Sequence, residues 1–163
     1  MDEEFGAFVA SRSASLCRTA YLLTGDWQAG EDLVQEALAR TYVRRRRLRD
    51  SAALEPYTRK VLMSLFLTSR RRQWHNEVPY ACLPSQPVSG EADEVTDRAG
   101  LWQALGELSA QQRAVLVLRY FEDLTEADIA SILRCSPGTV KSHAARGLER
   151  LRRTAALTEG WPR

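Results

Sequence analysis

The chain has 163 residues, 44% of them hydrophobic, and a formal net charge of +2 at pH 7. This length holds one domain or two small ones with ordinary apolar cores. No apolar run approaches the ~20 residues that span a bilayer, and the acidic start MDEEFGAF lacks a signal-peptide pattern. We therefore expect a cytoplasmic protein without membrane insertion.

Charge is distributed unevenly along the chain. Residues 1–75 carry 13 Lys/Arg and 9 Asp/Glu, residues 76–97 carry no base and 5 acids, and residues 98–163 carry 10 bases and 7 acids. Two basic blocks that flank an acidic strip indicate two surfaces that each contact a polyanion. The three cysteines lie far apart without a CxxC motif, which argues against a metal or redox role, and no cofactor is expected.

Three segments of the N-terminal half carry apolar residues at helical spacing, over about 5–23, 27–47 and 57–74. Asp26 is placed to cap the second of these helices, and Pro56 ends the polar connection before the third. The second helix ends in four consecutive arginines, Arg44 to Arg47. Cations are favoured at a helix C-terminus for dipole reasons alone, so this run need not be a binding site.

The helical periodicity is interrupted between residues 76 and 96. This segment is acidic and contains Pro79, Pro84, Pro87 and Gly90, a composition typical of a flexible linker. Helical spacing resumes over about 98–107 and 110–121, and Ser109 with Gln112 forms a capping box before the second of these helices. No segment has a useful strand pattern, so the sequence predicts an all-α chain with two helical domains.

The segment from Thr125 to Arg152 has the pattern of two helices joined by a tight turn. Thr125 is placed to cap the first helix, and Ser136 with Pro137 begins the second. The buried stripe of the second helix is predicted to be Val140, Ala144, Gly147, Leu148 and Leu151. This is the pattern of a helix-turn-helix, whose second helix normally lies in the major groove of DNA.

Two interpretations of the second helix are open, a solvated basic face or a DNA-binding face. Residues 134–153 hold six Lys/Arg against one acid, Glu149, but charged surface faces are common. The first turn of the helix offers only small or hydrogen-bonding side chains, which suit close approach to phosphates and base edges. They are Ser136, Gly138, Thr139, Lys141 and Ser142. Together these features favour DNA binding.

Three stretches together carry a resemblance to a known family. They are YLLTGD followed by EDLVQEA within residues 21–37, the segment from Tyr57 to Arg72, and RAVLVLRYF at 113–121 with the helix-turn-helix. The chain resembles the small actinobacterial kind of extracytoplasmic-function (ECF) sigma factor of bacterial RNA polymerase. The resemblance implies a three-helix region 2 domain and a four-helix region 4 domain. Their implied bounds are 1–75 and 97–155, with a flexible acidic linker at 76–96 and a C-terminal tail at 156–163.

The resemblance also implies three groups of functional residues. The polar face of the second helix would dock on the clamp of the largest polymerase subunit through Asp32, Gln35 and Glu36, although a solvated helix face is the alternative. The third helix would capture and open the minus-10 element through Arg59, Lys60, Ser64, Thr68, Arg70 and Arg71. The helix-turn-helix would read the minus-35 element through Arg134, Ser136, Thr139, Lys141, Ser142, His143, Arg146 and Arg150.

The implied function is that of an alternative sigma factor, which binds core RNA polymerase and directs promoter-specific initiation. Its implied partners are core polymerase, promoter DNA and an anti-sigma factor. The sequence has no GxSxG, P-loop, HExxH or Rossmann fingerprint, which argues against an enzyme. A LuxR-like regulator ranks lower because residues 1–96 lack the strands of a receiver or ligand-sensing domain.

Several positions depart from the family pattern. Arg134 stands in the helix-turn-helix turn where Gly is usual, and a positive φ there would cost about 1–2 kcal/mol. The alternatives are a rearranged turn or a compensating phosphate contact. Gly30 replaces a better helix former at about 1 kcal/mol if it is interior. Ser64 and Ser69 replace the usual Asn and aromatic residue, which leaves the minus-10 bases open.

Overall fold

The computed structural model describes residues 2–75 and 100–157, with side chains at 2–72 and 100–154, and every regular element in these ranges is helical. The all-α prediction is confirmed. The chain divides into two compact units, Met1–Val78 and Pro79–Arg163. The predicted linker at 76–96 lies outside the described residues. Among the described helices, none combines the length and apolar character that crossing a membrane requires.

The first unit contains helices α1 (Asp2–Thr24), α2 (Trp27–Arg44) and α3 (Leu54–His75). Helix α2 ends earlier than predicted because residues Arg45–Arg47 tighten into a 3₁₀ turn. Helix α3 begins earlier than predicted and includes Pro56, since a proline in the first turn lacks only an N–H that has no helical partner there. Asp26 caps α2 as predicted, by accepting from the N–H of Gln28 at 2.9 Å.

The core of the first unit lies where its three helices meet. Its buried cluster is Leu16, Ala20, Val34, Ala37 and Leu62. The hydroxyls of Thr41 and Thr58 lie 2.9 Å apart and link α2 to α3 in this interior. Each hydroxyl also lies within hydrogen-bond distance of a carbonyl group one turn back in its own helix, and the two hydroxyl protons are shared among these three contacts, so both groups are buried with partners.

Gly30 lies where α2 crosses closest to α1. A Cβ atom added there would lie 3.2 Å from the backbone nitrogen of Tyr21 and 3.3 Å from the carbonyl carbon of Ala20. Because both neighbours are backbone atoms, neither can rotate away. The close approach of the two helices therefore explains a glycine whose helix propensity alone is unfavourable.

The second unit contains α4 (100–106), α5 (Ala110–Leu116), α6 (Glu126–Leu133) and α7 (Pro137–Leu157). The helix predicted over 110–121 is instead α5 followed by a π turn, Val117–Phe121, in which the N–H of Glu122 donates to the carbonyl of Val117 at 3.1 Å. The capping box before α5 is confirmed, with both bonds at 3.1 Å. The fully buried side chains Val115, Leu118, Ile129 and Val140 lie in the interior of the second unit.

We expect Gly30→Ala to fail to stabilise the protein, although alanine gains about 1 kcal/mol of helix propensity, because the new Cβ presses on the α1 backbone. The matched control is Gly6→Ala in α1, where a Cβ meets nothing within 4 Å. Urea unfolding of the full chain followed by circular dichroism should show Gly6→Ala neutral or stabilised and Gly30→Ala destabilised. Equal stabilisation of both variants would contradict the packing argument.

Candidate nucleic-acid interface

The turn between α6 and α7 is closed by one carbonyl group. The backbone N–H groups of Arg134 and Cys135 both donate to the oxygen of Ala130, the latter at 3.0 Å. Arg134 adopts the left-handed conformation, with φ 55° and ψ 50°. This is the usual helix C-terminal closure, with arginine at a position that normally favours glycine. The turn is therefore not rearranged, and it carries the cost of about 1–2 kcal/mol that a positive φ implies.

Helix α7 begins with the predicted cap. The hydroxyl of Ser136 accepts from the N–H of Thr139 at 3.1 Å and lies 2.9 Å from the Thr139 hydroxyl. Both side chains are exposed. A base or phosphate that contacted either hydroxyl would share it with the cap, so the cap fixes where these two groups point.

Close packing on α5 determines which face of α7 is exposed. Val140 and Gly147 are buried, and a Cβ at Gly147 would lie only 2.8 Å from Cδ1 of Leu116. The opposite face carries Ser142 and Arg146, both exposed. Within the described residues the Arg146 guanidinium makes no ion pair or hydrogen bond. Arg146 is therefore placed to contact a ligand from the centre of the exposed face.

Two other residues predicted for the minus-35 contact have partners in the protein, and a third is half-buried. Lys141 Nζ lies 3.7 Å from Oε2 of Glu126, and Arg150 donates to the backbone carbonyl of Glu107. His143 is half-buried, and its Nδ1 is buried without a hydrogen-bond partner among the described residues. The other predicted residues, Arg134, Ser136, Thr139, Ser142 and Arg146, are exposed.

The six residues predicted for the minus-10 contact fall on two sides of α3. Four follow one another at spacings of four, four and three residues and share one face, on which they are exposed or half-buried: Lys60, Ser64, Thr68 and Arg71. Arg59 pairs with Glu55 at 3.1 Å on the packed side. Arg70 also lies on the packed side, 3.5 Å from the carbonyl of Thr24 and stacked 5.6 Å over Phe66.

The three residues predicted for the polymerase contact share the exposed face of α2. Asp32 accepts from Gln28 at 3.2 Å, Glu36 pairs with Arg40 at 2.8 Å, and Gln35 lies between them. Val43, which was not among the predicted residues, is 81% exposed on the same helix. It follows Glu36 by seven residues and therefore shares its face.

The four arginines at the end of α2 differ in exposure and in partners. The guanidinium of Arg45 stacks 3.5 Å over the ring of Tyr42 and lies 2.7 Å from the carboxylate of Asp2. It therefore ties the start of α1 to the end of α2. Arg44, Arg46 and Arg47 are exposed.

Comparison with known proteins places both units in one family. The family model of Sigma-70 region 2 matches residues 8–76, and that of Sigma-70, region 4 matches residues 98–151. The RNA polymerase sigma-E factor of Streptomyces coelicolor is 38% identical over 149 residues, which cover 91% of this chain and 84% of that protein. The ECF RNA polymerase sigma factor SigL of Mycobacterium tuberculosis is 31% identical over 153 residues, covering 91% and 86%.

A solved structure supports the fold. The sigma factor RpoE from Bartonella quintana, solved in complex with the anti-sigma factor NepR, gives a TM-score of 0.76 at 23% identity and covers 96% of this chain and 99% of that one. Nothing in these comparisons favours the LuxR-like alternative. The chain belongs to the extracytoplasmic-function family of alternative RNA polymerase sigma factors.

Proposed function

We propose that the chain binds core RNA polymerase and directs initiation at promoters that it recognises through their minus-10 and minus-35 elements, without catalytic activity of its own. The observation that carries this proposal is the order of two sigma-70 regions along one chain, region 2 before region 4. In the proposal region 2 occupies 1–75, a linker 76–96 and region 4 97–155, although α7 itself continues to Leu157. Since the polymerase works in the cytoplasm, the chain would work there as well.

For the minus-35 element, the exposed face of α7 supports a division between base and phosphate contacts. Thr139 and Ser142 are short side chains near the N-terminal end of α7, where a recognition helix meets base edges. Arg146 is long enough to reach a guanine edge with both guanidinium donors. Arg134 in the turn and Arg150 further along α7 are assigned to phosphates, which fix the register of the helix on the duplex.

For the minus-10 element, the open face of α3 supports strand capture. Lys60 and Arg71 lie at its two ends and supply positive charge for the backbone, with Ser64 and Thr68 between them to line the position of an unstacked base. Arg59 and Arg70 act from behind this face. Arg70 joins α3 to the end of α1 through the carbonyl of Thr24, and Arg59 pairs with Glu55 within α3.

For the polymerase, the exposed face of α2 supports a docking surface with a polar start and an apolar end. Asp32, Gln35 and Glu36 supply hydrogen-bonding groups for the clamp, and Val43 supplies apolar contact. The related RpoE structure contains the anti-sigma factor NepR. We propose that an anti-sigma factor likewise binds this chain.

We expect Val43→Asp to weaken the complex with core polymerase about tenfold or more, because it places an unpaired charge inside an apolar contact. Ala10→Asp, an exposed substitution on α1, is the control and should bind as the wild type does. Fluorescence-detected titration of the full chain with core polymerase measures both. Unchanged binding of Val43→Asp would exclude this end of α2 from the interface.

Arg146→Ala should lose about 1–3 kcal/mol of discrimination at one minus-35 base pair, as removal of a bidentate base contact predicts. Arg153→Ala, which removes an exposed arginine that pairs with Glu149 at 3.2 Å, should instead lower binding about evenly across sequences. Competition binding of holoenzyme to a minus-35 mutant series distinguishes the two. If Arg146→Ala weakens all sequences equally and lowers the salt slope by about 0.9, Arg146 contacts phosphate and not a base.

Arg134→Gly should stabilise the free chain by up to about 1 kcal/mol, because glycine relieves the left-handed strain at some entropic cost, and should weaken promoter binding. Asp123→Gly is the matched control, since Asp123 has the same φ of 55°; it should leave promoter binding unchanged. Urea unfolding and promoter titration report the two effects. Promoter binding by Arg134→Gly at the wild-type level would remove Arg134 from the interface.

A further inference from the structure

One carboxylate joins three elements of the second unit, which are the π turn, α6 and α7. Glu126, the first residue of α6, lies 3.4 Å from Nη1 of Arg119 in the π turn and 3.7 Å from Nζ of Lys141 in α7. The exposed fraction of the three side chains rises from 31% for Glu126 and 37% for Arg119 to 68% for Lys141. Arg119 is therefore the less exposed partner of the carboxylate, and Lys141 is the more exposed one.

We propose that Glu126 is a positioning residue for promoter recognition, which holds the ammonium of Lys141 in place for contact with a base edge. The inference rests on the proposed function, because it takes the exposed face of α7 as the DNA-reading surface. An ammonium group has three donors, so Lys141 can keep its contact with Glu126 while it donates to an acceptor in the groove.

The physical gain is preorganisation. A free lysine loses rotamer freedom when it binds, and an arrangement already restricted before binding loses less. Glu126 also places a negative charge beside the DNA backbone, since the first helix of a helix-turn-helix crosses it. That charge weakens binding to every duplex equally, whereas the positioning of Lys141 helps only a duplex with the correct base. Glu126 therefore raises the ratio of promoter to random-sequence affinity.

An exposed ion pair at this distance contributes little to stability. The test must therefore separate positioning from simple loss of charge. Asp128 provides the control: it lies two residues further along α6, in the same first turn, and is exposed. Within the described residues its carboxylate has no ion pair, so Asp128→Asn removes the same charge without touching Lys141.

Holoenzyme formed from the full chain and core polymerase is titrated with a promoter duplex, mapped by run-off transcription, and with a random-sequence duplex of equal length. Glu126→Gln should lower the promoter-to-random affinity ratio about two- to tenfold, the size expected for ordering one long side chain. Asp128→Asn should raise both affinities alike and leave the ratio unchanged. In a Lys141→Met background, Glu126→Gln should no longer change the ratio.

Equal ratios for Glu126→Gln and Asp128→Asn overturn the positioning role, as does a Glu126→Gln effect that persists without Lys141. These outcomes leave the proposed function intact, provided that wild-type holoenzyme prefers the promoter duplex. A wild-type holoenzyme with no such preference overturns the proposed function and the inference together.

Discussion

The position of the exposed face of α7 depends on how α6 ends. The carbonyl of Ala130 accepts two backbone hydrogen bonds, and this closure holds Arg134 in a left-handed conformation and directs the chain into the Ser136 cap. Close packing of Gly147 against Leu116 then sets the rotation of α7. Because both constraints are internal to the second unit, the outward direction of Thr139, Ser142 and Arg146 is established before any DNA is bound. The proposed base contacts of Thr139, Ser142 and Arg146 follow from that geometry.

The cations of the chain fall into two classes that net charge does not distinguish. Arg45 and Arg70 hold helices together through Asp2 and the carbonyl of Thr24, and Arg59 pairs with Glu55 one turn back in α3. Arg71 and Arg146, by contrast, are exposed, and exposed cations are the ones that can neutralise phosphates and release counterions. The number of phosphate contacts, and hence the salt dependence of promoter binding, should therefore be smaller than the arginine content of α3 suggests.

Local features were predictable from sequence, whereas tertiary partners were not. The caps at Asp26, Ser109, Thr125 and Ser136 were correctly placed, because a cap depends on residues within one turn.

The π turn after α5 was missed, since i→i+5 bonding leaves no periodicity of its own. Arg70 was grouped with exposed residues of α3 because its partner, the carbonyl of Thr24, comes from α1, whereas the pairing of Arg59 with Glu55 has the i,i+4 spacing that a sequence shows. Gly30 was judged by helix propensity alone, and its reason is the backbone of another helix. The predicted DNA and polymerase contacts themselves stay predictions.

Region 2 and region 4 are proposed to act together to direct polymerase to promoters. Run-off transcription with purified full-length chain, core RNA polymerase and genomic fragments of the source organism tests this proposal. We expect transcripts that start at discrete positions, each preceded by a shared pair of sequence elements at minus-10 and minus-35, and no such transcripts from core polymerase alone. A chain that binds core polymerase but yields no discrete start sites, or start sites without shared elements, would contradict it.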